Sequence, residues 1–324
     1  MTPADDLPRF DDLQTAHARI RDRVERTPVE QYRALDLALG CQLFLKCEHQ
    51  QPMGAFKLRG ASNAVARLEE EERSGDLATH SSGNHGAALA MAATAAGRQA
   101  KVVMPANAVA LKMDAVRRYG GEVIICEPNQ SAREAGLAQL VAQGLIAVPP
   151  YDDADIIAGQ GTAALELYQQ TTEPLDDLVV PVGGGGLLAG CALASRALSP
   201  HTRLVGAEPA GAADTASSLA AGVRVKSWQP DTVADGLRAV IGVRNFALIQ
   251  AHVDEVLLAD DQAIIDAMRL AYEQAQLRLE PSAAVALAVI RGAPERFKGR
   301  RVGVMLTGSN IDTELFPWLD AMGD

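Results

Sequence analysis

A lysine lies between a glycine turn and the predicted start of a helix, in the stretch Met53-Gly54-Ala55-Phe56-Lys57-Leu58-Arg59-Gly60. Apolar neighbours favour the uncharged form of an amine, so Lys57 is a candidate nucleophile or Schiff-base former. An ordinary solvated lysine at the beginning of a helix has the same local sequence. The motif alone therefore leaves both interpretations open.

A second polar motif, Thr79-His80-Ser81-Ser82-Gly83-Asn84-His85-Gly86, follows one predicted strand and opens a helix. The free N–H groups at a helix N-terminus bind carboxylates and phosphates, and hydroxyl and amide side chains add further donors. Capping alone requires only one such side chain. The motif therefore predicts an anion site, in which His85 is either an acid–base group or a hydrogen-bonded core histidine.

Four consecutive glycines, Gly183 to Gly186, connect a predicted buried strand to another helix. Without Cβ atoms, the backbone N–H groups of such a loop can surround a phosphate, which the helix dipole also favours. The run Gly184-x-Gly186-x-x-Ala189 also fits a loose dinucleotide pattern, with Glu208 available as a ribose-binding acid. A nicotinamide-dependent (NAD) oxidoreductase is therefore an alternative at this point.

A hydroxyl group follows the last predicted strand, at Thr307 in Leu306-Thr307-Gly308-Ser309-Asn310. Open α/β sheets bind ligands at the carboxyl ends of their strands, where this loop is expected. A simple turn explains the same residues equally well.

Strands and helices alternate along the chain, which predicts an α/β architecture built on parallel sheets. Many of the strands are apolar without alternation, as expected for strands buried on both faces. Nine strand segments are predicted: Gln42–Cys47, Asp76–His80, Lys101–Met104, Glu122–Cys126, Leu145–Val148, Asp177–Val182, Arg203–Ala207, Glu255–Leu258 and Arg301–Leu306. Nine strands fit two sheets better than one. We expect a small mobile domain at 51–146, and a large domain formed by 1–50 and 147–324.

Composition excludes several classes of protein. The 324 residues are 48% hydrophobic, which is too apolar for a disordered chain. A formal charge of −11 argues against nucleic acid and anionic membranes as partners. The first 21 residues lack the apolar segment of a signal peptide, and four scattered cysteines suggest a reducing compartment. We therefore expect a cytoplasmic protein with a small-molecule substrate.

Taken in order, these motifs resemble those of the fold-type II pyridoxal-phosphate (PLP) enzymes, the tryptophan synthase β-like family. The ordered set is GAFKLRG, SSGNHG, GGGG, Glu280-Pro281-Ser282 and Thr307. The likeness is greatest to the serine/threonine dehydratases and serine racemases. It implies two open twisted, mostly parallel sheets flanked by helices, a small lobe inserted in a large one, and a homodimer.

The resemblance assigns cofactor contacts to each motif. It implies that Lys57 forms the Schiff base with the cofactor, whose phosphate is held by Gly183, Gly184, Gly185, Gly186 and Leu187. Around the ring, Asn84 is expected at the phenolic oxygen and Phe56 against one face. Thr307 is expected at the pyridine nitrogen, with Glu280 nearby.

The resemblance also implies the substrate contacts. Ser81, Ser82, Asn84 and His85 would bind the substrate carboxylate, and Ser82 would be the acid–base group of the racemase branch. Arg133 is a candidate for binding an acidic side chain such as that of hydroxyaspartate. A surface ion pair is the other explanation for Arg133.

A metal site is implied as well, formed by Glu208, the backbone carbonyl of Ala212, and Asp214. Two carboxylates and a carbonyl are hard oxygen ligands that suit Mg²⁺, Ca²⁺ or Mn²⁺. Acidic residues favoured at the start of a helix by its dipole would give the same sequence.

The function implied by the resemblance is β-elimination from a small L-hydroxyamino acid, L-serine or L-threonine, to a 2-oxo acid and ammonia. A hydroxyl partner at the ring nitrogen does not impose a positive charge on the ring, which favours elimination over transamination. Serine racemisation, and dehydration of 3-hydroxyaspartate or of a hydroxyectoine-derived amino acid, are alternatives within the family.

Overall fold

The structure is a computed structural model that describes residues 7–81 and 83–319. Its strands, in chain order, are β1 Val29–Glu30, β2 Gln42–Lys46, β3 Leu77–His80, β4 Ala100–Pro105, β5 Glu122–Cys126, β6 Ile146–Ala147, β7 Asp177–Pro181, β8 Arg203–Pro209, β9 Glu255–Ala259 and β10 Arg301–Met305. They form a six-stranded sheet in the order β1-β2-β10-β7-β8-β9 and a four-stranded sheet in the order β5-β4-β3-β6. Every pair is parallel except β1 with β2.

Helices lie between the strands and cover both sheets. They are α1 Phe10–Ile20, α2 Arg33–Leu39, α3 Lys57–Glu70, α4 Asn84–Ala95, α5 Ala110–Arg118, α6 Gln130–Ala142, α7 Ala154–Gln170, α8 Gly186–Leu198, α9 Asp214–Ala221, α10 Val243–His252, α11 Asp261–Ala275, α12 Pro281–Gly292 and α13 Pro294–Phe297. Within the described part of the chain, no helix is both long and apolar enough to span a bilayer.

The fold class predicted from the sequence is confirmed. All nine predicted strands are present, and β7 is buried along its whole length, which explains its uninterrupted apolar run. The short edge strand β1 was missed, because two half-buried residues carry no periodic signal. The small sheet comes from one continuous stretch of chain, whereas the large sheet is built from segments on both sides of it. The domain boundaries at 51–146 stay a prediction.

The topology determines where the polar motifs meet. In the large sheet, β10 pairs in parallel with β2 on one side and with β7 on the other, so the loops after β7 and β10 leave the same edge. A bridge between Ala55 and Gly308 brings the segment before α3 to this edge. The loop after β3 leads into α4 from the small sheet.

Candidate active site

Lys57 is the first residue of α3, and the backbone on either side fixes its position. Phe56 donates its N–H to the carbonyl of Thr307 at 3.0 Å, beside the bridge between Ala55 and Gly308. The Lys57 Nζ donates to the carbonyl of Pro150 at 2.9 Å and lies 5.2 Å from the centroid of the Phe56 ring. Desolvation lowers the pKa of Lys57 to about 8, although Glu280 opposes the shift. An amine with this pKa is available as a nucleophile near neutral pH.

Asn84 begins α4 and contacts two residues from the large-sheet side of the molecule. Its Nδ2 donates to Oε1 of Glu280 at 2.8 Å, and its Oδ1 accepts from Nδ2 of Asn310 at 3.0 Å. Glu280 is buried, and desolvation raises the pKa of its carboxyl group to about 7. Glu280 interacts electrostatically with Lys57, so Lys57, Asn84 and Glu280 belong to one site.

The glycine loop after β7 has a conformation that requires glycine. Gly185 has φ +92°, in the left-handed region, and α8 begins at the next residue. A Cβ on Gly184 would lie 2.4 Å from Cγ of the Tyr151 ring, so this ring packs directly on the loop. The first N–H groups of α8, including that of Leu187, have no carbonyl partner within the helix. Uncharged backbone donors at a helix N-terminus are suited to a phosphate.

Of the four residues assigned to the substrate carboxylate, Ser81, Asn84 and His85 are described. Ser81 forms a tight turn, in which its Oγ accepts the N–H of Gly83 at 3.2 Å. Ser82 lies outside the described residues. His85 is buried, and desolvation lowers the pKa of its ring to about 3.

The ring of His85 is oriented by a backbone carbonyl. Its Nε2 lies 3.2 Å from the carbonyl oxygen of Val148, which can only accept, so Nε2 carries the proton of the neutral ring. The buried Nδ1 then has a lone pair, with no partner among the described residues. A carboxylate would therefore be bound by the backbone N–H of His85 in the first turn of α4, not by the ring.

Arg133 lies on α6, where it is half-buried. Its Nη2 donates to Oε1 of Gln130 at 2.5 Å, and its buried Nε has no partner in the part of the chain that is described. After desolvation, the positive charge of Arg133 is the next cause that lowers the pKa of His80, at the end of β3. It also acts on Tyr151, whose ring packs on the glycine loop. The guanidinium is therefore near the loops that form the site.

The sequence did not predict an ion pair that joins a helix, α5, to a distant 3₁₀ turn. Lys112 of α5 is buried and pairs with Asp235, in the short 3₁₀ turn Asp235–Leu237. Their charges act in opposite directions on the pKa of Glu280. No sequence signal connects these residues, which are 123 positions apart.

Glu208 and Asp214 form a buried acidic pair at the end of β8 and the start of α9. Glu208 accepts the N–H groups of Thr215 and Ala216, both at 2.9 Å, and Asp214 accepts that of Ile241 at 2.8 Å. Desolvation raises the pKa of Glu208 to about 7 and that of Asp214 to about 6. Ala212 is buried in the 3₁₀ turn between them. Among the described residues, no group of three or more His, Cys, Asp or Glu side chains could hold a metal.

The described residues fit pyridoxal phosphate. The loop offers backbone donors for a phosphate, and Lys57 offers an amine of lowered pKa. One Oε atom of Glu280 is buried with no partner among the described residues, as expected where a bound polar group completes the site. Thr307 is buried in the loop that follows β10, the strand beside β7.

Fold and site together define a PLP-dependent enzyme of the α/β class. The chain belongs to the pyridoxal-phosphate dependent enzymes, whose family pattern matches residues 20–308. It is 44% identical over 313 residues to a β-hydroxyaspartate dehydratase of Paracoccus denitrificans, covering 96% of this chain and 99% of the relative. It is 41% identical to a serine racemase of Oryza sativa subsp. indica, covering 93% and 90%. The structure of maize serine racemase superimposes with a TM-score of 0.90 at 38% identity, covering 98% of this chain and 100% of that one.

Proposed function

We propose that this enzyme removes water from a small L-3-hydroxyamino acid, releasing a 2-oxo acid and ammonia. The observation that carries the proposal is the amine of Lys57, with its pKa lowered to about 8 beside the Asn84–Glu280 contact. Pyridoxal phosphate, when bound, supplies an aldehyde that condenses with amines and a ring that stabilises negative charge at the substrate α-carbon. Lys57 supplies the amine and is the base for the α-proton.

The substrate carboxylate is expected at the N-terminus of α4. The first N–H groups of the helix, including that of His85, and the hydroxyl of Ser81 are donors there, and the family resemblance adds Ser82 as an expected donor. No charged side chain is needed for this contact. The helix end also explains how an enzyme with a net charge of −11 binds an anionic substrate.

The elimination is balanced in atoms and charge. The Cα–H and Cβ–O bonds break, and the proton and hydroxide leave as water. The enamine that leaves the enzyme takes up a proton at Cβ to give an imine, and one water then hydrolyses the imine to a 2-oxo acid and ammonia. The net reaction consumes no water and requires no oxidant.

Within this class we favour 3-hydroxyaspartate over L-serine and L-threonine. Arg133 is a half-buried cation whose buried Nε has no partner among the described residues, and its charge lowers the pKa of His80 and acts on Tyr151. A second carboxylate would satisfy that donor, whereas serine and threonine have no group of opposite charge. The relative named a β-hydroxyaspartate dehydratase supports the same choice.

A substrate panel tests the reaction and its specificity together. The purified holoenzyme is incubated with L-serine, D-serine, L-threonine and the threo and erythro 3-hydroxyaspartates, and both 2-oxo acid and enantiomer ratio are measured. We expect oxaloacetate and ammonia from a 3-hydroxyaspartate at the highest kcat/KM. Absence of 2-oxo acid from every substrate would disprove the dehydratase proposal, and enantiomer exchange alone would indicate a racemase.

Two arginine variants distinguish the effect of a positive charge in the site from the effect of one on the surface. Loss of hydrogen bonds to a charged group costs roughly 1.5–3 kcal/mol, so Arg133→Gln should raise KM for 3-hydroxyaspartate about 10- to 100-fold. Its KM for L-serine should change little. Arg117→Gln removes the same charge from the surface of α5, where the arginine pairs with Asp114. Equal changes with both substrates would contradict the assigned role of Arg133.

We also propose that Glu208, Asp214 and the carbonyl of Ala212 hold a divalent cation. The raised pKa values of both acids support this, because burial disfavours their charged forms and a bound cation would stabilise those forms. Mg²⁺, Ca²⁺ and Mn²⁺ suit oxygen ligands of this kind.

Three further expectations remain predictions. Sedimentation would test the homodimer, and cell fractionation would test the cytoplasmic location. Hydrogen exchange would test the mobility of 51–146.

A further inference from the structure

A chain of hydrogen bonds runs from a backbone carbonyl, through two asparagines, to Glu280. Nδ2 of Asn310 donates to the carbonyl of Met53 and to Oδ1 of Asn84, both at 3.0 Å. Nδ2 of Asn84 donates in turn to Oε1 of Glu280 at 2.8 Å. Asn310 follows β10 in the large sheet and Asn84 begins α4, so the chain of bonds links segments 226 residues apart in sequence.

The backbone carbonyl of Met53 determines the direction of every bond in this chain. A carbonyl oxygen can only accept, so Asn310 must turn its NH₂ group toward Met53. The second hydrogen of that group is then directed at Asn84, whose Oδ1 must accept it. Nδ2 of Asn84 consequently faces Glu280. If the Asn84 amide were reversed, its Nδ2 would oppose another donor and its Oδ1 would oppose a carboxylate.

Two glycines leave the space that this arrangement needs. Gly54 has φ +78°, and a Cβ there would lie 2.6 Å from Oδ1 of Asn310. A Cβ on Gly308 would lie 2.4 Å from Oε1 of Glu280. Side chains at these positions would displace Asn310 at one end of the hydrogen-bond chain and Glu280 at the other.

We propose that Asn310 is a positioning residue, which holds the Asn84 carboxamide with its Nδ2 toward the cofactor. An amide nitrogen carries two hydrogens, and Glu280 takes one of those on Asn84. The other is available to the phenolic oxygen of pyridoxal phosphate, which needs a donor when that oxygen is ionised. The inference rests on the cofactor assignment and is independent of which hydroxyamino acid is the substrate.

Asn310→Asp tests the proposal with almost no change in size. A carboxylate cannot donate to Asn84, so Asn84 should turn its NH₂ group toward residue 310 and its oxygen toward the cofactor. The visible absorbance of the lysine-bound cofactor, recorded without substrate, should then move to shorter wavelength, because the phenolic oxygen keeps its own proton. The Kd for pyridoxal phosphate, from equilibrium dialysis, should rise about tenfold, as for one lost hydrogen bond to a charged group.

Asn310→Ala removes the donor without imposing an acceptor, so its Asn84 amide is free to take either orientation. We expect a mixture of the two absorbance bands and a Kd raised about threefold. Should Asn310→Asp fail to fold, the spectrum of Asn310→Ala decides the question. Ser309→Ala is the matched control in the same loop, since Ser309 Oγ donates to the carbonyls of His49 and Gly54 and does not bond to Asn84.

The outcomes separate the inference from simpler explanations. A role confined to stability would lower the melting temperature of the apoenzyme, followed by circular dichroism, without moving the absorbance band. An absorbance band and a Kd equal to those of Ser309→Ala would overturn the positioning role while leaving the cofactor assignment intact. Failure of the unmodified protein to form the visible band with pyridoxal phosphate would overturn both.

Discussion

Two clusters of buried acids in this molecule differ in what surrounds them. The balanced cluster consists of Lys46, Glu48, Arg59 and Glu166, all at most 2% exposed. Arg59 donates to both carboxylates at 2.7–2.8 Å, and Lys46 donates to Glu166 at 2.7 Å. The acidic pair, Glu208 and Asp214, is equally buried but bonds to backbone N–H groups.

The pKa shifts of the two clusters have opposite signs. In the balanced cluster burial alone would raise the carboxyl pKa values, but the adjacent cations prevail and lower those of Glu48 and Glu166. In the acidic pair burial prevails, despite the backbone hydrogen bonds and, at Asp214, the charge of Arg224. A cluster with two cations and two anions needs no ligand. Among the described residues, the hydrogen-bond donors to Glu208 and Asp214 are backbone N–H groups and not cations, so this acidic pair is suited to binding a cation.

The largest effect is expected from breaking the balanced cluster. Arg59→Met leaves two buried carboxylates with only Lys46, and removing one partner of a buried ion pair costs roughly 3–5 kcal/mol. We expect that loss in the free energy of unfolding, measured by urea titration. Arg117→Met, at an exposed pair with Asp114, should change it by less than about 0.5 kcal/mol. A loss of unfolding free energy below about 1 kcal/mol for Arg59→Met would show that the balanced cluster does not stabilise the fold.

The acidic pair should respond to cations in solution. At about 100 times its Kd, a bound cation stabilises the folded state by about 2.7 kcal/mol, so Mg²⁺ or Ca²⁺ should raise the melting temperature of the EDTA-treated protein. Asp214→Asn should abolish the increase, whereas the exposed-site variant Asp114→Asn should retain it. An increase that survives Asp214→Asn would place the cation elsewhere.

Acid should weaken the balanced cluster. In the folded protein the pKa values of Glu48 and Glu166 are lowered. Their contribution to the free energy of unfolding is therefore complete above the ordinary pKa of 4.5 and is lost as pH falls below it. Each acid then contributes a slope of up to about 1.4 kcal/mol per pH unit. The difference in unfolding free energy between the unmodified protein and Glu166→Gln should therefore narrow from pH 6 to pH 3. A constant difference would contradict the ionised state of Glu166.

The smallest effect is expected at the edge of the balanced cluster. Nε2 of His17 lies 3.5 Å from Oε1 of Glu166, and its side chain is 28% exposed. Partly solvated pairs contribute about 0.2–1 kcal/mol, so His17→Ala should lower the unfolding free energy by no more than that. A loss as large as that of Arg59→Met would extend the cluster to include His17.

The sequence was sufficient to predict those features that depend on a local pattern of residues. Strand and helix periodicity predicted the fold class, and the glycine loop and Lys57 stand where strand–loop–helix spacing placed them. The links between distant residues were not predictable in this way. Arg59 and Glu166 are 107 positions apart, and Asn84 and Asn310 are 226 apart, so their contacts exist only once the sheets have formed. Arg133 was a candidate from sequence, but the effect of its charge on Tyr151 depends on how α6 packs.

The position of β10 in the large sheet has a consequence for synthesis on the ribosome. β2 pairs with β10, whose residues are made about 260 positions later, and β10 alone joins β2 to β7. The small sheet, in contrast, is complete once β6 has left the exit tunnel. We expect the nascent chain to carry a folded small sheet and an unpaired β2 edge for most of translation, with cofactor capture confined to its last residues.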